Sequence, residues 1–262
     1  MWDPGRYRQF GVKRSRPFYE LVSRISAAEP ASVVDLGCGP GELTADLCSR
    51  WPSADVLGID SSAEMIEVAE SVRAGLPADL RQQLRFERAD VTDWQPARPV
   101  DVIVSNALLQ WIPEHEKLLP LWATHLSGGG WLAFSVPGNF EQPTHALLRQ
   151  LAGTPRWRSS LKDVAFNSQA ADPAEYLDLL AREGCAVDAW ETTYLHLLHG
   201  DDPVLRWYQG TGLRPVIAAL SADEAAEFMA DYGAQLREHY PRQPYGTVLP
   251  FRRVFVVAHR ER

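Results

Sequence analysis

Through its first half the chain alternates short apolar runs with amphipathic stretches. SVVDLG (32–37) is β-branched and apolar and ends at glycines, which predicts a strand buried on both faces. GELTADLCSRW places Leu43, Leu47 and Trp51 at helical spacing, and DVLGID (55–60) reads as the second strand. SSAEMIEVAESV predicts a helix capped by Ser61 or Ser62, with Glu64 in its first turn. LRFERAD (84–90) and VDVIVSN (100–106) predict the third and fourth strands. PEHEKLLPLWATHL predicts a further helix, residues 127–130 a turn, and WLAFSVPG the fifth strand. The alternation predicts an α/β fold with a doubly wound, mostly parallel sheet.

The second half differs. DPAEYLDLLAREGC reads as a helix stopped by Gly184, and AVDAWETTYLHLL alternates like a long strand. Residues 201–240 are polar, aromatic and helical, and VFVVAH near the end is a strand. The two late strands bring the sheet to seven. The helical insertion between them, with the N-terminal segment, is expected to cover the ligand edge of the sheet.

Composition narrows the function classes. A chain of 262 residues with 45% hydrophobic composition can bury one large core. A formal net charge of −8 disfavours general nucleic-acid binding, which needs a basic surface. Cys38, Cys48 and Cys185 lack metal or CxxC spacing, and the histidines show no metal pattern, so no metal is expected. The absence of a signal-like N-terminus and of any run of about 18 apolar residues leads to the expectation of a cytoplasmic protein, away from membranes and nucleic acid, monomeric or weakly self-associating.

The chemistry gathers at strand ends. DLGCGPG puts glycines at 37, 39 and 41 between a strand and a helix. A dinucleotide fingerprint, G-x-G-x-x-G, needs its third glycine at 42 or 44, where Glu42 and Thr44 stand. Glu42 suits a helix N-terminus by itself and would repel a pyrophosphate there. The turn therefore invites close approach by a ligand without phosphate. Asp60 ends the second strand, where a carboxylate can accept from two ribose hydroxyls. Asp90 follows the third strand and can accept from an adenine amine, with Val91 against the ring; Asn106 ends the fourth. Cys38 inside the loop reads as small-residue packing rather than as a nucleophile.

DLGCGPG, then GID with Ser61 or Ser62, then AD, then NALLQW, occur in the order of the class I S-adenosylmethionine-dependent methyltransferases, and residues 31–137 resemble that family. The resemblance implies one Rossmann-like methyltransferase domain over 1–262. Residues 31–137 form its cofactor-binding core, and 1–30 and 200–245 its substrate-covering elements. It implies that the glycine turn faces the methionine part of S-adenosylmethionine. The candidate cofactor residues are Asp35, Gly37, Cys38, Gly39, Asp60, Ser61, Met65, Asp90, Val91, Asn106, Gln110 and Trp111.

The flanks narrow the acceptor. RSRP (14–17), SNALLQWIPEHEKLLP, PGNFEQPTHALLR, GCAVDAWETTYLH, TGLRP (211–215) and HYPRQPYGTVLPFRRVFVVAHR are similar to the trans-aconitate methyltransferases, which form a carboxyl monomethyl ester; 155–172 matches least well. The alternative is another small-molecule O, N or C acceptor. The N-P-P-Y signature of amino-group methylation is lacking, since NALL follows at Asn106. A carboxylate is ionised at neutral pH, so no general base and no catalytic dyad is expected. What a small polycarboxylate needs is cationic forks, which arginine supplies in planar bidentate form. Candidate substrate residues are Tyr7, Arg14, Ser15, Arg16, Trp111, Asn139, His145, Trp207, Arg214, Tyr240 and Arg252. Each has a plainer role: solvated charge for the arginines, helix terminus for His145, helix packing for Trp207 and its neighbour Tyr208.

Overall fold

The computed structural model describes residues 11–166 and 170–261, with side chains from Ser15 onward. Seven strands form one sheet: β1 Ser32–Leu36, β2 Asp55–Asp60, β3 Leu84–Arg88, β4 Val100–Asn106, β5 Leu126–Pro137, β6 Cys185–Leu198 and β7 Thr247–Arg260. Their order is β3-β2-β1-β4-β5-β7-β6. β1 pairs in parallel with β2 and β4, β2 with β3, and β4 with β5. The order reverses at β1, and an open parallel sheet offers its ligand crevice beyond the strand ends at such a switch.

Helices alternate with these strands: α1 Gly11–Ser23, α2 Glu42–Arg50, α3 Ala63–Ala74, α4 Ala78–Gln83, α5 Leu118–Thr124, α6 Pro143–Ala152 and α7 Pro173–Ala181. The insertion holds α8 Pro203–Gln209, α9 Arg214–Ala219 and α10 Ala222–His239. Local signals start several of them. Ser62 caps α3 by accepting from the Met65 N–H at 3.3 Å, and Ser221 and Glu224 form a reciprocal capping box on α10.

Two compact units emerge, each with its own core. Residues 15–136, 170–191 and 254–261 form the sheet unit. Its apolar centre includes Val34, Leu36, Ile59, Ile103, Leu132, Phe134 and Val256. Residues 137–166 and 192–253 form the second unit, around Leu148, Trp157, Trp207, Tyr208, Phe228 and Tyr232.

Three elements depart from the sequence expectation. No turn occupies 127–130: β5 runs straight through the glycines, and its register against β4 shifts between Val100 and Val102. The run has a steric reason, because a Cβ on Gly130 would stand 3.0 Å from the Ser127 carbonyl oxygen and 3.1 Å from that of Val100. The helix expected over PEHEKLLPLWATHL is instead a single 3-10 turn, His115–Lys117, followed by α5. β7 is much longer than VFVVAH.

Candidate active site

The site is built on four strand ends of the sheet unit. After β1 the chain turns through Gly37 (φ 80°), Gly39 (φ 55°) and Gly41 (φ 80°), all left-handed. The Gly37 and Cys38 N–H groups donate to the Ile59 carbonyl at 2.8 and 2.9 Å, which ties the turn to β2. The glycines serve different ends. A Cβ on Gly37 would lie 2.9 Å from Leu108, and one on Gly41 would lie 2.5 Å from Phe86 and 2.7 Å from the Ala69 Cβ. At Gly39 a Cβ would meet nothing within 4 Å. Protein packing therefore requires glycine at 37 and 41, while Gly39 leaves open space for something that is not protein.

Asp60 closes that space. Its carboxylate accepts from the Gly39 N–H at 3.0 Å and the Ser62 N–H at 2.9 Å, one bond per oxygen. Each oxygen keeps a second lone pair for hydroxyl donors. Ser62, rather than Ser61, makes the cap and this bond; Ser61 is exposed and its carbonyl accepts from Arg88. Asp35 lies beneath the turn, 3% exposed, accepting from the Thr44 hydroxyl at 2.6 Å. Burial pushes its carboxyl up to about 6; the Thr44 bond opposes this and the Asp60 charge adds to it. Burial also pushes the Cys38 thiol up, which suits packing rather than nucleophilic attack.

On the next strands, Asp90 is exposed and accepts from the Thr92 N–H and hydroxyl through one oxygen, bonds that lower its carboxyl below the usual range. Val91 is buried in the sheet unit's core. Asn106 accepts from the Ser135 hydroxyl at 2.6 Å. Beyond it Gln110 donates to the Ala107 carbonyl at 2.7 Å, and Trp111 is 54% exposed, unusual for so large an apolar side chain. The residues assigned to the cofactor thus lie on or just beyond the consecutive ends of β1 to β4.

The substrate candidates divide between the units. Tyr7 and the Arg14 side chain lie outside the described residues. Ser15 and Arg16 lie in α1, where the exposed Arg16 guanidinium donates to Glu20 at 2.7 Å. Arg214 begins α9 and is exposed. Arg252 donates to the Gly138 carbonyl at 3.2 Å. In the second unit Asn139 and Tyr240 converge with His145 on a hub around Tyr208, whose other members, Thr144 and Tyr232, are not among the expected residues. The Tyr208 hydroxyl lies 2.7 Å from Asn139 Nδ2 and 2.8 Å from the Thr144 hydroxyl, and Tyr232 donates to the Thr144 carbonyl at 2.7 Å. Burial raises the Tyr240 hydroxyl above the usual phenol range, with Thr144 nearby opposing the rise. Tyr240 also lines a cavity of about 130 Å³ with Asp202, Arg237 and Arg242. His145 packs edge-on between Phe140 and Tyr208, and burial, aided by Arg149, pushes its imidazole down to about 4, so it is neutral at pH 7. Trp207 is 3% exposed and stacks on His196 in that unit's core.

Among the described residues no group of His, Cys, Asp and Glu could hold a metal ion, and no helix is long and apolar enough to cross a membrane. The residues fit a nucleoside carrying a phosphate-free link: Asp60 to accept from hydroxyls, an open backbone approach at Gly39, and Glu42 at the head of α2 where a phosphate would otherwise sit.

Comparison with known proteins agrees with this geometry. A family model described as a methyltransferase domain matches residues 10–189. The chain is 53% identical to a trans-aconitate 2-methyltransferase of Rhodococcus jostii, covering 98% of this chain and 99% of that protein. It is 50% identical to the protein of the same name from Streptomyces avermitilis, covering 99% and 97%. Among solved structures, the Haemonchus contortus phosphoethanolamine N-methyltransferase 2 in complex with S-adenosyl-L-methionine matches with a TM-score of 0.55 at 14% identity, covering 94% of this chain and 53% of that one. The [4+2]-cyclase SpnF matches with a TM-score of 0.59 at 13% identity, covering 94% and 81%. Such distant likeness establishes the fold and leaves the reaction to the site. At half-identity over nearly its whole length, the chain belongs to the trans-aconitate 2-methyltransferase family of methyltransferases.

Proposed function

We propose that this protein methylates a carboxylate of trans-aconitate, giving a monomethyl ester and S-adenosylhomocysteine. The observation that carries the reading is the near-full-length identity, 53% and 50%, to two curated proteins of that activity. The site chemistry supports it independently at the cofactor end. Asp60 offers lone pairs to the ribose hydroxyls, and the open face of Gly39 admits the chain that links ribose to methionine. Asp35, buried and costly to ionise, would gain from a methionine ammonium held beside it.

S-adenosylmethionine supplies an electrophilic methyl on a sulfonium; a carboxylate oxygen takes it with its own electron pair as the carbon–sulfur bond breaks. No proton moves, so the residues hold rather than catalyse by acid or base. Orientation of two reactants is worth up to about 7–11 kcal/mol in favourable cases. We assign recognition of the remaining carboxylates to arginines from Arg14, Arg16, Arg214 and Arg252, with Asn139 and Tyr240 as neutral donors.

Methyl-labelled S-adenosylmethionine, the purified protein and a panel of trans-aconitate, cis-aconitate and citrate test the reading. Label transferred preferentially to trans-aconitate and released as methanol by mild base is the expected result. Base-stable label, or label on none of these acids, refutes the acceptor assignment.

A further inference from the structure

The loop after β4 is held in a costly shape by a buried pair that methyl transfer does not use. Ala107 (φ 58°) and Glu114 (φ 54°) bracket the single 3-10 turn Leu109–Trp111, and both are non-glycine residues in the left-handed region. Such backbone persists only where its surroundings hold it. At the near end, the Ala107 N–H donates to the Ser135 carbonyl at 2.8 Å and the Ala107 carbonyl accepts from Gln110.

At the far end the hold is His115, 2% exposed. Its Nδ1 lies 3.3 Å from the Ile112 carbonyl oxygen and its Nε2 lies 2.7 Å from the Tyr176 hydroxyl on α7. A carbonyl only accepts, so Nδ1 carries the hydrogen and Nε2 accepts from Tyr176. The Tyr176 oxygen in turn accepts from the Ala171 N–H at 3.1 Å. Every donor in this chain has an acceptor, running from Ala171 through Tyr176 and His115 to Ile112, next to Trp111. Burial favours the neutral imidazole the chain requires, against the pull of Glu116 at 3.7 Å. The same loop touches the glycine turn, since Leu108 fills the place of the missing Gly37 Cβ.

We propose that His115 and Tyr176 are positioning residues that hang the 107–115 loop on α7, in the arrangement that seats Leu108 on Gly37 and sets Gln110 and Trp111 for the cofactor. The inference rests on the glycine turn holding S-adenosylmethionine.

The test measures the S-adenosylmethionine dissociation constant by calorimetry, with KM and kcat alongside, on the full-length protein. Tyr176→Phe removes one hydroxyl and keeps the ring edge-on to Phe134. It strands the His115 acceptor, and a loss of about tenfold in cofactor affinity with a smaller change in kcat is expected. His115→Gln, whose amide oxygen can accept from Tyr176, keeps affinity near that of the wild type; His115→Leu, which cannot accept, loses it as Tyr176→Phe does. Leu179→Ala on the same helix, partly buried against the core, lowers the melting temperature and leaves affinity unchanged. Wild-type affinity in Tyr176→Phe, or equal weakening in Leu179→Ala, overturns the pairing while the cofactor assignment stands. A wild-type protein that binds no S-adenosylmethionine overturns the assignment itself, and this inference with it.

Discussion

Two single-methyl additions separate what the glycine turn does for the fold from what it does for the ligand. At Gly41→Ala the new Cβ would stand 2.5 Å from the Phe86 ring, 2.7 Å from the Ala69 Cβ and 3.0 Å from the Ala69 Cα. Ordinary carbon contacts are about 3.5–4.0 Å, so β3 and α3 must each retreat by nearly an ångström. Overpacking of that kind costs about 1–3 kcal/mol, and the φ of 80° adds about 1 kcal/mol. At Gly39→Ala the strain at φ 55° is similar but no protein atom lies within 4 Å. Its cost stays near 1 kcal/mol, a shift of about 2–4 °C in melting temperature, against about 10 °C for Gly41→Ala. Binding reverses the ranking. The methyl on residue 39 occupies the space assigned to the ligand and should weaken S-adenosylmethionine by at least about tenfold. The folded fraction of Gly41→Ala should bind near wild-type strength. Thermal melts and calorimetric titration of both variants check this. Wild-type affinity in Gly39→Ala, or an unchanged melting temperature in Gly41→Ala, would refute the division of labour.

Burial raises Asp35 to about 6 from 3.8, so its stabilising contribution is present below pH 4 and lost as pH rises through 6. Asp35→Asn should therefore stabilise the free protein at pH 8, by no more than about 3 kcal/mol, while weakening the cofactor; melts and titrations at pH 5 and 8 read both. Wild-type cofactor affinity should rise between pH 5 and 8 as Asp35 ionises against the ammonium. His145 runs the other way: its imidazole is held at about 4 rather than 6.5, so its contribution is present above pH 6.5 and fades as pH falls through 4. The loss at pH 5 is about 2 kcal/mol, and His145→Gln should flatten that acid limb in melts. Arg16→Ala and Arg214→Ala should raise the acceptor's KM by about tenfold, with S-adenosylmethionine binding unmoved; unchanged KM in both removes them from acceptor recognition.

The parallel core was legible because its signals are local. DVLGID and VDVIVSN are short buried runs with polar ends, and their observed bounds, Asp55–Asp60 and Val100–Asn106, coincide with the runs. The failure of the dinucleotide frame at Glu42 likewise needed only neighbouring residues. β5 was misread at its start because glycine runs usually punctuate, whereas here they let a strand shift register beside Val100. The helix over 113–126 was misread because its first turn is diverted: Glu114 turns left-handed and His115 leaves the helical path for Tyr176, 61 residues away. The Thr144–Tyr208–Tyr232 hub joins residues 64 and 88 apart, and no local pattern announces it. Gly41 shows a subtler limit. Its close packing on Ala69 and Phe86 resembles the duty of the last glycine in a dinucleotide turn, but the partner that demands it is visible only in three dimensions.

The most direct test of the account is the fate of the methyl group. S-adenosylmethionine carrying a carbon-13 methyl, incubated with the protein and trans-aconitate, should yield one equivalent of S-adenosylhomocysteine per new methyl signal. That signal should belong to an ester, lost on mild alkaline hydrolysis with return of trans-aconitate. A methyl bound to carbon or nitrogen, or no transfer to trans-aconitate beside competent cofactor binding, would contradict it.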